Sequence, residues 1–225
     1  MSESKSQLEF VHYQSPPGQS ELKGPAEGCG YQIYKAAGKH SNKRATIAGG
    51  GSSIGRAIAI LFGMEGADSF IAYLPPKKRR TQLGNDILVN NAAYHKMRGD
   101  ASTNKVSKHQ WFHTLATSIH PYFYLSKYAT PHLSPGSIVI SNAYINTYIG
   151  RPDLLDHNST KGAIVSFMRG LSNNYVSRGI RANAVAPGMF TSSRGRLARP
   201  SDIATCFVFL AGRTIHANGR VVVNG

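Results

Sequence analysis

The segment Gly49-Gly50-Gly51-Ser52-Ser53-Ile54-Gly55 lies between the short apolar run Ala45-Thr46-Ile47-Ala48 and a stripe of helical spacing. That stripe is Ile54, Ala57, Ile58, Leu61 and Phe62, at i, i+3, i+4, i+7 and i+8, with Gly63 and Gly66 as its stop signals. A strand, a glycine turn and a helix in immediate succession leave few folds open, because a helix packed back on its own strand returns the chain to start a parallel one. Residues 69–74, 86–90, 137–141, 180–185 and 220–223 supply five further strands. Helical patterns separate them at residues 108–133, 154–177 and 201–210. Within the first, Pro121 removes a backbone donor and predicts a kink or break. In the second, Ile164, Phe167, Met168, Leu171 and Tyr175 share a face. The third is read as capped by Ser201, with Asp202 in its first turn.

This alternation predicts an α/β fold, a Rossmann-like doubly wound parallel sheet in three layers. Residues 1–44 show neither period and are broken at Ser15-Pro16-Pro17-Gly18 and Gly24-Pro25, so they read as an irregular arm before a single domain over residues 45–225. A hydrophobic content of 41% over 225 residues fills a core of that size. The formal charge of +15 favours anionic partners without choosing among nucleotides, nucleic acids and acidic lipid. Cys29 and Cys206 form neither a disulfide framework nor a CxxC site, which predicts a reducing, cytoplasmic setting. Residues 1–10 are polar and the longest apolar run is 57–62, so neither a secretory signal nor a membrane span is expected.

A glycine turn that opens a helix lets backbone N–H groups and the helix N-terminus face a pyrophosphate. Three further motifs accompany it here. Asn90-Asn91-Ala92-Ala93 follows the third strand, Lys161 lies on the late helix, and Ala186-Pro187-Gly188 closes the fifth strand. Together, and in this order, they resemble the short-chain dehydrogenase/reductase family over nearly the whole chain, from about Leu8. The arm is similar to the extension of one branch of that family through its Pro-Gly-x-x-x-Leu pattern at Pro17 to Leu22.

The resemblance implies NAD(P) bound across the carboxyl ends of the strands, and hydride transfer between nicotinamide C4 and an alcohol or carbonyl carbon of a small molecule. It implies cofactor contacts from Gly49, Gly51, Ser52, Ser53, Ile54, Gly55, Tyr73, Asn91, Ala92, Lys161, Pro187, Gly188 and Phe190. In the family a tyrosine exchanges the substrate proton and a lysine four residues later holds the ribose. A serine thirteen residues before the tyrosine polarises the substrate oxygen, and an asparagine on the preceding helix supports a proton relay. Lys161 matches the lysine, but His157 stands at the tyrosine position, Tyr144 at the serine position and Ser118 at the asparagine position. These four are the candidate catalytic residues. Neutral imidazole accepts a proton more readily than it gives one, and Lys161 at i+4 disfavours the imidazolium.

Ser53 replaces the middle glycine of the family turn. No Asp or Glu lies between Asp68 and Asp86, where a ribose-binding carboxylate is expected; Lys77-Lys78-Arg79-Arg80 stands there and favours NADP over NAD. The family also places a helix, a strand and a helix before the Asn-Asn-Ala box, whereas residues 75–85 span at most ~36 Å here, so an edge strand and helix unit is expected to be missing. That leaves the second strand as an exposed edge. Residues 189–200 leave only a short substrate-covering loop. The expectation is an oxidoreductase of weak or altered activity, with an inactive dinucleotide- or protein-binding relative as the alternative and a homo-oligomer as a further possibility. The basic runs, including Arg194, Arg196 and Arg199, read as solvated loops rather than a nucleic-acid site. His109 and His113 have metal-ligand spacing but no third ligand, so no metal is expected. Trp111 is read as packing against the sheet and Cys206 as a buried small hydrophobe.

Overall fold

The computed structural model describes residues 31, 34–72, 86–95, 105–188, 199–212 and 221–224. Six strands form one parallel sheet: β1 (Arg44–Ala48), β2 (Asp68–Ala72), β3 (Ile87–Asn90), β4 (Ile138–Asn142), β5 (Arg181–Pro187) and β6 (Val221–Asn224). Their order across the sheet is β2-β1-β3-β4-β5-β6, every neighbouring pair parallel. The reversal of order at β1 is the switch point of a doubly wound fold, where the chain leaves a crevice at the carboxyl ends of the strands.

The period of two decides which layer each strand residue joins. Ile87 and Val89 of β3 and Ile138 and Ile140 of β4 face one core, with α1 (Ser53–Met64) and the last long helix (Pro200–Ala211) laid over it. Leu88, Val139, Ala182, Ala184 and Ala186 face the other. That second core is covered by α2 (Lys108–Ser118), α3 (His120–Ala129) and, after the single-turn α4 (Asn146–Ile149), α5 (Leu155–Tyr175). The last helix is accordingly α6. Among the described residues, no helix is long and apolar enough to cross a membrane.

Pro121 breaks the predicted helix 108–133 rather than bending it. Ile119 has φ −124°, and Pro121 sits in the first turn of α3, where its missing N–H has no partner to lose. Ser107 caps α2 by accepting the Gln110 N–H at 3.1 Å. At α6 the expectation of a Ser201 cap is corrected: the helix starts at Pro200, and the Asp202 carboxylate accepts the Arg199 N–H at 3.1 Å. Ser201 lies inside the helix and is buried. Trp111 is likewise corrected. It is 37% exposed, because Gln110 and Thr114, not the tryptophan, occupy the buried stripe of α2.

Among the described residues β2 is an edge, with Ile71 36% exposed, as the short link after it predicts. The arm is anchored close to the sheet. Glu65, fully buried at the end of α1, accepts hydrogen bonds from the Tyr34 hydroxyl, the Ala37 N–H (3.1 Å), the Lys39 N–H (2.8 Å) and the Lys39 ammonium (3.0 Å). Burial by itself would raise the pKa of this carboxyl, but the donors from Tyr34 and Lys39 outweigh it and hold the group at about 2. The folded-state value is depressed, so the stabilisation is complete above the unfolded value of 4.5 and is lost as pH falls from there to about 2. Urea unfolding across that window will show Glu65→Gln less stable than the parent at pH 7 and less sensitive to acid.

Ser53 has φ +46°, a left-handed conformation that disfavours an L side chain by about 1–2 kcal/mol. Ser53→Gly is therefore expected to raise stability by roughly 0.5–1 kcal/mol after the extra chain entropy of glycine, read as a higher urea midpoint at unchanged slope.

Candidate active site at the carboxyl ends of the strands

The register brings Ala48 beside Asn90, Asn90 beside Ser141 and Asn142 beside Val185, so the motifs predicted after β1 and β3 and at the end of β5 meet at one end of the sheet. The glycine turn closes on the Asn-Asn-Ala box with no room for side chains. A Cβ on Gly49, whose φ is +71°, would stand 2.7 Å from the Ala92 Cα, and one on Gly55 would stand 2.1 Å from the Gly49 carbonyl oxygen and 2.5 Å from Asn91 Nδ2. No side chain caps α1 and its first turn holds no acidic residue, so nothing within the helix itself offsets its positive end at the turn. This backbone cradle fits an anionic pyrophosphate.

A chain of hydrogen bonds runs from the turn to Lys161. Asn91 Nδ2 donates to the Gly49 carbonyl at 3.0 Å, and Asn142 Nδ2 donates to Asn91 Oδ1 at 2.7 Å. The Asn142 carbonyl accepts the Lys161 amine at 2.6 Å and the Tyr122 hydroxyl at 3.3 Å. Lys161 is only 3% exposed, and burial lowers its pKa from 10.5 to about 7. Its Nζ lies 5.8 Å from the centre of the Tyr122 ring. Sequence reasoning missed Asn142 and Tyr122. The available signals were a polar residue at the end of an apolar strand and an aromatic one directly after the helix-breaking Pro121.

His157 lies one turn before Lys161 on α5. Its Nδ1 is 3.1 Å from the Tyr94 carbonyl oxygen, and its backbone N–H donates to Asp156 Oδ1 at 2.9 Å. The Tyr144 ring packs edge-on with centroids 5.7 Å apart, and the His95 ring lies 5.4 Å away. Burial, then the Lys161 charge, lower the imidazole pKa from 6.5 to about 3, so the ring is neutral at physiological pH. Asp156 is buried, which by itself would raise its pKa. Hydrogen bonds from Gln110 (2.9 Å) and Thr114 (2.8 Å) reverse that and hold the carboxyl below its ordinary value. Ser118 does not reach His157 directly: its hydroxyl accepts the Tyr94 N–H at 2.9 Å and donates to the Tyr94 carbonyl at 3.2 Å.

His157, Tyr144, Lys161 and, through Tyr94, Ser118 are thus gathered in one region. Pro187 ends β5 with its carbonyl accepting the Ile145 N–H at 2.9 Å, next to the segment carrying Tyr144, and Gly188 follows it. Tyr73, Phe190, Lys77 to Arg80, Arg194 and Arg196 lie outside the described residues. His109 and His113 stack at 6.1 Å, and among the described residues no group of three His, Cys, Asp or Glu is placed to hold a metal. Cys206 is half-buried against the first core, where burial raises its thiol pKa.

A family model described as enoyl-(acyl carrier protein) reductase matches residues 82–194. An uncharacterized oxidoreductase of Schizosaccharomyces pombe is 33% identical, covering 87% of this chain and 90% of the relative. The chain belongs to the short-chain dehydrogenase/reductase family. The glucose and ribitol dehydrogenase of Daucus carota is 31% identical over 94% of this chain and 96% of its own length. Alignment with an uncharacterized oxidoreductase of Bacillus subtilis, at 34% identity, runs over 284 positions against the 225 residues of this chain, so at least 59 positions are gaps here. Among solved structures, a dehydrogenase/reductase from Sinorhizobium meliloti superposes with a TM-score of 0.73 at 20% identity, covering 83% of this chain and 96% of that one. A short-chain dehydrogenase from Burkholderia cenocepacia, in complex with NADP, superposes with 0.71 at 21% identity, covering 82% and 97%. These two share the fold.

The depressed Lys161 pKa has a consequence for stability. The unfolded chain takes up the lysine proton at 10.5 and the folded chain only near 7, so stability falls as pH drops between those values. Lys161→Met will raise stability at pH 7 and flatten the dependence between pH 10 and 7, measured by urea unfolding at both ends.

Proposed function

We propose that this chain binds a nicotinamide dinucleotide, NADP ahead of NAD, and retains a weak or altered oxidoreductase activity on a small alcohol or carbonyl compound. The observation that carries this reading is the continuous path from the Gly49 carbonyl through Asn91 and Asn142 to the Lys161 amine, which ties the phosphate cradle to the one retained family residue of the four. The NADP in the Burkholderia relative supports the cofactor class. The Lys77 to Arg80 run supports a 2′-phosphate.

When bound, the dinucleotide supplies or takes the hydride. The chain itself has to move a proton. His157, neutral at physiological pH, accepts hydrogen bonds and is a poor acid. Lys161, with a pKa of about 7, is the group of the pair that carries a proton near neutrality. Gly49, Gly51, Ser52, Ser53, Ile54, Gly55, Asn91 and Ala92 line the phosphate end in this reading, and Pro187 and Gly188 the nicotinamide end, while Tyr144 takes the place of the family serine beside the substrate.

The alternative, an inactive relative that binds a dinucleotide or another chain, is favoured by a specific pair of observations. Ser53 is held at φ +46° within the cradle, and the position of the family's proton donor is occupied by a neutral imidazole. In that reading the exposed aromatics of α2 and α3, Phe112, Phe123, Tyr124 and Tyr128, are the surface for a second copy or another protein.

Calorimetric titration with NADPH and then NADH at two salt concentrations tests the dinucleotide site, and a carbonyl-reduction assay separates the active reading from the inactive one. Saturable NADPH binding, with NADH weaker, supports the dinucleotide site. Carbonyl reduction that falls as pH rises through about 7 supports Lys161 as proton carrier. His157→Tyr restores a phenol acid and should raise that rate at least ~10-fold and move its pH optimum. No nucleotide binding by the folded protein leaves only the protein-binding alternative.

A further inference from the structure

Three buried polar side chains of α2, Gln110, Thr114 and Ser118, are spaced by four residues and line one stripe of a helix whose neighbouring positions include the exposed Trp111 and Phe112. All three address the His157 segment. Gln110 and Thr114 donate to Oδ2 of Asp156, whose Oδ1 accepts the His157 backbone N–H. Ser118 takes both polar groups of Tyr94, and the Tyr94 carbonyl faces the His157 ring. One end of the stripe therefore fixes the backbone of His157, and the other end holds the Tyr94 backbone whose carbonyl faces its imidazole.

We propose that Ser118 is a positioning residue that sets the ring tautomer of His157 through the carbonyl of Tyr94, with Nδ1 carrying the hydrogen and Nε2 left as the accepting nitrogen. A neutral imidazole has one donor and one acceptor, and a carbonyl oxygen only accepts. At 3.1 Å from that oxygen, Nδ1 is the donor. The assignment depends on the orientation of the Tyr94 backbone, which a single hydroxyl secures by accepting the residue's N–H and donating to its carbonyl oxygen, one group from each flanking peptide unit. Among the described residues, the other groups near the ring have other partners: Lys161 is engaged with Asn142, the Asp156 oxygens with Gln110, Thr114 and the His157 backbone, and the His95 and Tyr144 rings make ring contacts. The inference rests on the reading of His157 as part of the active site only for its functional meaning; the tautomer itself belongs to the protein without cofactor.

Long-range ¹⁵N–¹H correlation spectra of the full chain at pH 7, without nucleotide, test it. The His157 ring should show a protonated Nδ1 and an unprotonated Nε2. Ser118→Ala should mix the tautomers, drawing the two nitrogen shifts toward each other, and speed exchange of the Tyr94 amide about tenfold. Ser118→Thr keeps the hydroxyl and should restore both signals. Thr114→Ala loses a hydrogen bond of the same stripe and should destabilise the fold while leaving the ring shifts as in the parent. A parent spectrum with the hydrogen on Nε2, or unchanged ring shifts in Ser118→Ala, overturns the proposal. NADPH titration of the same samples reports separately on the dinucleotide reading, so failure of binding with a fixed tautomer removes that reading and leaves this one standing.

Discussion

The amine of Lys161 is held in the interior by a backbone carbonyl rather than by a carboxylate, and the character of the site follows from that. A buried ammonium with a neutral partner recovers little of its lost hydration, so its proton is bound weakly and the pKa comes down to about 7. The same carbonyl belongs to the residue whose side chain reaches Asn91, and Asn91 reaches the glycine turn. The lysine is therefore positioned by the end of β4 and by the phosphate cradle together, without an acidic residue in the path.

The neighbouring His157 is governed by the same lack of compensation. Desolvation and the nearby Lys161 both disfavour the imidazolium, and the buried Asp156 offsets them little because its oxygens already serve Gln110, Thr114 and the His157 backbone. The outcome is a neutral, hydrogen-bonding imidazole beside the buried amine. The helix that carries both groups packs through Ile164, Val165 and Met168.

The sheet accommodates a shortened chain by exposing an edge. β2 pairs only with β1 among the described strands, and Ile71 is left partly in solvent. On the opposite end of the same strands, residues Tyr34 to Lys39 are tied to Glu65 at the end of α1, so a stretch with no periodicity of its own is ordered by one buried carboxylate.

The sequence by itself determined the order of elements and the parallel sheet, because strand and helix periods and glycine turns are local properties of the chain. The resemblance to a known family, and not any local period, pointed to His157, Tyr144, Ser118 and Lys161 as candidate site residues. Tertiary structure alone decided what those residues touch. The Asn142 carbonyl under Lys161 and the Tyr94 carbonyl against His157 join elements far apart in the chain, and the exposure of Trp111 depends on which stripe of α2 packs inward. A hydrogen bond to a backbone carbonyl leaves no mark in the sequence, since every residue carries one. The protonation states followed from burial, which is a property of the packed layers and not of any single segment.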